Sequence, residues 1–443
     1  ITIPPKCLQC RGGLVYWIII DRIVSGGPCP PQSERRLRMK RAVCLVLIVV
    51  LLCACALPAA AAGPSAAFRD KGQIGNVNAV TMLVDLGLIS GYSDGTFRPA
   101  NPITRAEMAK IIAILCEDDP QAGELSFGDA ADSWASRYIS YCAGRGIVSG
   151  DGNGLFRPND EVTARELAKM LLVVLGYPQS RYVGALWSEN VDADADACGL
   201  YNGLTGAYDA ALTREGACQL VYNALRSSAV ASVAPDGTVG YVLDALMTPR
   251  TYLEIRYQAM RYTGVVTGNE CADLTQSGGR LAQGITKLAG HREFQVASDL
   301  SMLGRSVDIY VRDGQVIGIP CRASEEVYYT FTDTDAPLDV CADVGYSVSS
   351  STQYYYNFAP ATDEIMQHLP SGAGVTVVDH TGDYTIDVVL VTDCRMETVT
   401  AVSPLTVSGA GTVEQFDAGE AFRVGDRVAC MDVRGTTYIR HLP

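Results

Sequence analysis

The chain has 443 residues, 48% of them hydrophobic and 19% charged, and a formal net charge of −14. At roughly 100–200 residues per domain this length corresponds to two to four domains, and the hydrophobic content excludes wholesale disorder. The acidic balance argues against nucleic acid, whose binders carry a basic face, and against an anionic membrane surface as the main partner. The charge is uneven. Eight basic and two acidic residues give the first 41 positions a balance of +6, residues 42–62 carry none, and residues 63–443 carry −20.

Residues 1–38 read as an upstream artefact ahead of a start at Met39. Met39-Lys40-Arg41, an uncharged run with its apolar centre at 44–52, and four alanines at 59–62 make up the three parts of a secretory signal peptide, expected over 39–62. Pro58 and the alanine tail fit cleavage better than a span, so no integral membrane span is expected in the mature chain. Leu52-Cys53-Ala54-Cys55 is only faintly like a lipoprotein acylation box. Cys7 and Cys10 form a C-x-x-C without a second pair at zinc spacing. The nine cysteines after residue 62 are scattered and odd in number, so a dense disulfide framework is not expected. Cys116, Cys142 and Cys218 fall in helical patterns and read as small core residues. Pairing among Cys321, Cys341, Cys394 and Cys430 stays open.

An internal repeat organises the next segment. Phe68-x-Asp70, Gly87-Leu-Ile-Ser-Gly91, Gly95-Thr-Phe-Arg-Pro99, Ile103-Thr104 and Glu107-x-Ala109 recur 59 positions later without gaps. The second copy reads Phe127-x-Asp129, Gly146-Ile-Val-Ser-Gly150, Gly154-Leu-Phe-Arg-Pro158, Val162-Thr163 and Glu166-x-Ala168. A third copy is degenerate. It keeps Trp187, Gly199, Gly203 and Thr213-Arg214-Glu215, and it lacks Phe-x-Asp and Gly-x-Phe-Arg-Pro. Each copy reads as helix, loop, helix. A glycine closes the first helix, and Thr-x-x-Glu opens the second as a capping box. Met108, Ile111, Ile112, Leu115 and Ala168, Leu171, Leu172, Leu175 supply stripes of 3.6 period. In the third copy Gly216 stands where the box needs Glu. The copies are placed at 68–120, 127–177 and 180–228, followed by a linker at 229–240.

These motifs resemble the S-layer homology (SLH) domain, usually present as three tandem copies. The resemblance implies an all-α pseudo-threefold helical bundle that anchors a secreted protein non-covalently to the bacterial cell wall or S-layer. Its implied partner is a secondary cell-wall polysaccharide, in many members bearing a pyruvylated amino sugar. The arginine of the Thr-Arg-Ala-Glu motif is implied as the contact to that anion and maps to Arg105 and Arg214. In copy two the order is Thr163-Ala164-Arg165-Glu166, and one position on a helix turns a side chain by about 100°, so Arg165 is expected to miss its groove. Arg105 falls in the first turn of a capped helix, where free N–H groups and the dipole favour an anion. Trp134 and Trp187 are candidates to pack a sugar face, against a plain core role. Asp70, Asp129, Ser90, Gly91, Ser149 and Gly150 are candidates to shape the groove.

Beyond residue 229 β-branched and aromatic residues alternate with polar ones. Two hairpins stand out, with turns at Asp313-Gly314 and Thr381-Gly382. Short strands with turn signals predict two β-rich modules, at 241–325 and 326–443, of barrel or sandwich type. The whole chain is thus expected to be an α+β multidomain protein. No catalytic motif, metal site or cofactor is read from the four histidines (291, 368, 380 and 441) or the cysteines. Asp192-x-Asp194-x-Asp196 starts like a calcium loop but lacks its glycine and terminal glutamate, and is expected near a helix start. With no Leu-Pro-x-Thr-Gly motif, the repeats are the expected anchor. The reading is a surface protein with structural or adhesive β modules and no enzymatic activity. The alternative is a wall-anchored glycan hydrolase with its active site in the β half.

Overall fold

Among the described residues, six α-helices build the first half: α1 (Val77–Asp85), α2 (Arg105–Cys116), α3 (Ser136–Gly144), α4 (Ala164–Leu175), α5 (Trp187–Ala197) and α6 (Arg214–Arg226). The structure, a computed structural model, describes residues 68–441 apart from 125, 205, 323–326 and 333–335. The upstream segment and the expected signal peptide lie outside the described residues. No described helix is long and apolar enough to cross a membrane.

The local signals act as the sequence suggests. Thr104 and Thr163 each accept from the backbone N–H three residues on, while Glu107 and Glu166 return the bond to the threonine N–H, so both boxes close. Thr213 caps α6 alone, by accepting from Gly216 N. Gly87, Gly146 and Gly199 follow the first helices with φ of 70°, 67° and 74°, the left-handed conformation that glycine adopts at least cost. The predicted stripes are buried: Met108, Ile112, Leu115, Ala168, Leu171 and Leu172 are fully enclosed in one core, together with Leu167, Leu220 and Leu225.

The residues just before the second helices are joined in a ring. Ile103 N donates to Leu212 O at 3.0 Å, Leu212 N to Val162 O at 2.9 Å, and Val162 N to Ile103 O at 3.1 Å. The helix starts continue this order. Arg105 N and Ala106 N donate to the carbonyls of Asp160 and Pro158, Arg165 N to that of Tyr208, and Arg214 N and Glu215 N to those of Asn101 and Pro99. The N-terminal N–H groups of a helix have no partner within it. Here the loop of another helix pair supplies that partner.

The second half holds three main sheets. The first, in the order β5-β4-β3-β6-β7, is built from β3 (Met260–Gly268), β4 (Thr286–Leu288), β5 (Glu293–Phe294), β6 (Ser306–Arg312) and β7 (Gln315–Arg322). The second takes strands between Val327 and Thr392, and the third strands between Arg395 and His441. Both predicted hairpins form. β6 pairs with β7 across Asp313-Gly314, and β11 (Gly374–Asp379) pairs with β12 (Thr385–Thr392). The helices-then-sheets order is the expected α+β arrangement, but none of the sheets among the described residues closes into a barrel. Around the expected linker the chain makes an antiparallel ribbon, β1 (Val230–Val233) with β2 (Val239–Tyr241).

The helical core does not stop at this ribbon. It continues into Leu253, Tyr257, Tyr310, Ile317 and Cys321. Gly318 N donates to Asp85 at 2.8 Å, and a Cβ at Gly318 would sit 3.2 Å from Met82. Arg226, at the end of α6, donates to Arg322 O at 2.8 Å and lies 3.7 Å from Asp308. The nine cysteines of the described residues are free thiols.

Candidate functional site

The loop between the helices of each intact copy is one folded unit, made by residues that are distant in sequence. Asp70 accepts from Phe97 N at 2.8 Å and Arg98 N at 2.7 Å, and Asp129 accepts from Phe156 N and Arg157 N, both at 2.8 Å. Arg98 and Arg157 hold φ of 58° and 59°, a conformation that costs a side-chain-bearing residue free energy. The carboxylate clamps offset that cost. At Asp129 the N–H of Phe156 holds the carboxyl below its ordinary range. At Asp70 burial pushes upward, but the N–H groups of Phe97 and Arg98 outweigh it.

The rings of Phe68 and Phe127 pack at a tilt against Phe97 and Phe156, with centroids 5.3 Å and 5.5 Å apart. The same rings lie over Gly91 and Gly150. A Cβ at Gly91 would come within 2.4 Å of Phe68, and one at Gly150 within 2.7 Å of Phe127. Asp70, Asp129, Gly91 and Gly150 therefore fix the conformation of their loops.

Arg105 crosses from α2 to the loop of copy two. Its Nε donates to Phe156 O at 2.9 Å, Nη2 to Ser149 O at 3.0 Å and Nη1 to Glu166 Oε1 at 3.1 Å, and the guanidinium lies 4.7 Å over the Phe156 ring. Arg214 does the same from α6 toward copy one, with Nε to Phe97 O at 3.1 Å and Nη2 to Ser90 O at 3.0 Å. Ser90 and Ser149 thus take part through their carbonyls. The expected free N–H groups beside Arg105 are not free, because the ring of loop carbonyls consumes them. Polar groups free to face a ligand there are therefore side-chain groups.

A cleft of ≈ 480 Å³ opens beside Arg105, lined also by Ser149, Gly150, Glu166, Lys169 and Trp187. Lys169 Nζ sits 5.7 Å from the Trp187 ring. Burial holds its ammonium below the ordinary value, and nearby Arg105 adds to this while Glu166 opposes it. Lys169 was missed from sequence. The available signal was its place three residues after Glu166, on the same helix face. Trp134 is 61% exposed and does not line this cleft.

At the third helix pair Ala164 occupies the position of Arg105 and lines a smaller cleft of ≈ 180 Å³. Arg165 points elsewhere. Its Nε and Nη2 fork onto Asp192 at 2.9–3.1 Å, and Asp192 also accepts from Tyr201 Oη. Asp192 and Asp194 lie inside α5, not near its start as expected from sequence. Asp194 is held by Arg181 and Tyr182. No group of three or more potential metal ligands occurs among the described residues.

Against known proteins, the S-layer homology domain family model matches residues 67–109 and 126–168. The chain carries S-layer homology domains, and it is a secreted protein of the bacterial cell surface. It is 36% identical over 98 residues to S-layer protein EA1 of Bacillus anthracis, covering 21% of this chain and 11% of that protein. It is 23% identical over 331 residues to the middle cell wall protein of Brevibacillus brevis, covering 65% of this chain and 31% of that one. Residues 1–226 make up about half of the chain, so this match reaches into the β half. A 26% identical stretch of 169 residues in exoglucanase XynX of Acetivibrio thermocellus covers 34% of this chain and 15% of that enzyme. The chain spans roughly a tenth to a third of the length of these relatives.

Proposed function

We propose that the helical half anchors the protein to a secondary cell-wall polysaccharide, with the cleft beside Arg105 as the main contact. The observation that carries this is the meeting of Arg105, Lys169 and Trp187 in one cleft. Two cations suit a carboxylate such as that of a pyruvylated sugar, and guanidinium presents a planar fork to it. The indole supplies an apolar face with a polar edge for the ring. Arg214, buried and bonded to the Phe97 and Ser90 carbonyls as Arg105 is to those of Phe156 and Ser149, is the candidate second contact. Arg165 is a brace for α5 and not a ligand contact.

The bundle reads as pseudo-threefold, with the degenerate copy completing it. The cyclic hydrogen bonds among Ile103, Val162 and Leu212 support this reading. The β half, taken as two modules after residue 241, is structural or adhesive and not enzymatic. The exoglucanase likeness is confined to the repeats and lends no activity to this part. Co-sedimentation of the full chain with purified cell-wall sacculi tests the anchor. Binding that is lost when the wall polysaccharide is stripped is expected, and no binding to intact sacculi refutes it.

A further inference from the structure

A cleft of ≈ 980 Å³ opens where the first sheet meets the third. Its volume is at the upper end of small-ligand sites, about 300–1,000 Å³. One wall carries Glu270 and Asp299, and the other carries Glu414 on β16 (Glu414–Gln415) and Tyr438 on β18 (Thr436–His441). β16 and β18 are parallel neighbours with Glu414 opposite Tyr438, so their side chains share one strip of wall.

The carboxylates are positioned by the walls. Asp299 is half-buried, burial with Asp417 beside it pushes its carboxyl upward, and it accepts from Ser301 Oγ at 2.6 Å and from Ala418 N, across the seam, at 3.1 Å. Glu270 Oε2 accepts from Gly284 N at 2.6 Å. Tyr438 is hydrogen-bonded to the Cys271 thiol, which burial pushes up to about 11, and the charges of Glu270, Asp299 and Glu414 all add to that rise. Three carboxyl groups thus line this one cleft, against one lining cation, Arg280. Leu281, Leu300, Ile319 and Pro320 give the same cleft an apolar shelf.

We infer that this cleft binds a glycan bearing free, protonated amines, an amino-sugar oligomer, and is the adhesive site of the β half. The negative lining disfavours an anionic glycan. The apolar shelf and the phenol suit a sugar's C–H face and hydroxyls. A glycan is favoured over a basic peptide because the repeats hold the molecule at a polysaccharide surface. The inference rests on the adhesive reading of the β half, and it concerns a site separate from Arg105.

The test is calorimetry of the full chain with a β-linked glucosamine tetramer, its N-acetylated counterpart and tetralysine. Saturable binding of the amine form is expected. Losing one charged hydrogen-bond partner should weaken it by about tenfold in Glu414→Gln, and Tyr438→Phe should also weaken it. Arg105→Ala should leave it unchanged. Equal binding of the N-acetylated tetramer, equal binding of tetralysine, or full affinity in Glu414→Gln would each overturn the inference. Glu414 is exposed, so misfolding does not obscure its variant. Loss of sacculus binding with tetramer binding retained would count against the anchor alone.

Discussion

Arg105 and Arg165 stand one helical position apart in their respective copies, and their side chains end in different places. Arg105 reaches the Ser149 carbonyl beside a cleft, while Arg165 is spent on the Asp192 carboxylate. Arg105→Ala should weaken sacculus binding by about tenfold, the worth of one charge-assisted contact. Arg165→Ala should change it little. Co-sedimentation titrations of both variants check this, and equal losses would show that the shifted arginine also contacts glycan. The full chain is the proper material, because a cut at residue 230 would bare the apolar surface that Tyr310, Ile317 and Cys321 cover.

Gly150→Ala should destabilise the loop of copy two. Its Cβ would meet Phe127 at 2.7 Å and Leu155 O at 2.8 Å, and one of these contacts is backbone. Overpacking of this kind costs about 1–3 kcal/mol. A lowered Tm together with weakened sacculus binding is expected, because the displaced loop also carries Ser149 and Phe156. An unchanged Tm would mean that the ring swings away at no cost.

Arg226→Ala should loosen the helical half from the first sheet. The guanidinium is largely buried beside Asp308 and bonded to Arg322 O. Removing one partner of such a pair leaves a buried charge and costs about 3 kcal/mol. Urea unfolding should show either a lower midpoint or two separated transitions where the parent has one. An unaltered curve would show that the apolar contacts alone hold the junction.

Glu420 makes stability depend on pH. Burial, with Asp417 adding to it, raises its carboxyl from 4.5 to about 7, against the opposing hydrogen bond from His441 N. Between those values the folded chain keeps a proton that the unfolded chain has released. Its contribution is therefore complete below about 4.5 and is lost as pH rises through about 7. Glu420→Gln should raise Tm at pH 8 relative to the parent and bring the two together near pH 4.5. A constant difference across that range would contradict this.

Much of the helical half is legible in the sequence because its signals are local. The Thr104 and Thr163 boxes, the left-handed Gly87 and Gly146, and the apolar stripes of α2 and α4 each depend on residues within one or two turns. The 59-residue period also told which residues belong together. Phe127, Asp129, Gly150 and Phe156 recur as a set because they are one packed unit. The hairpin at Asp313-Gly314 was readable for the same reason, since two adjacent residues with φ of 51° and 80° suffice to reverse the chain.

Other features were decided only in three dimensions, because they depend on which copy lies beside which. The amide groups at the start of α2 look free in sequence, yet carbonyls more than 50 positions away consume them. Asp192 looks like part of a calcium loop until Arg165, 27 positions earlier, takes its carboxylate. Lys169 joins Arg105 and Trp187 only through the packing of three helix pairs. The segment after residue 229 reads as a linker by its composition, but the apolar core runs past it into the first sheet. Local backbone preference is written residue by residue. The partners of a charge or a free amide are set by the whole packed chain, and the site follows from those partners.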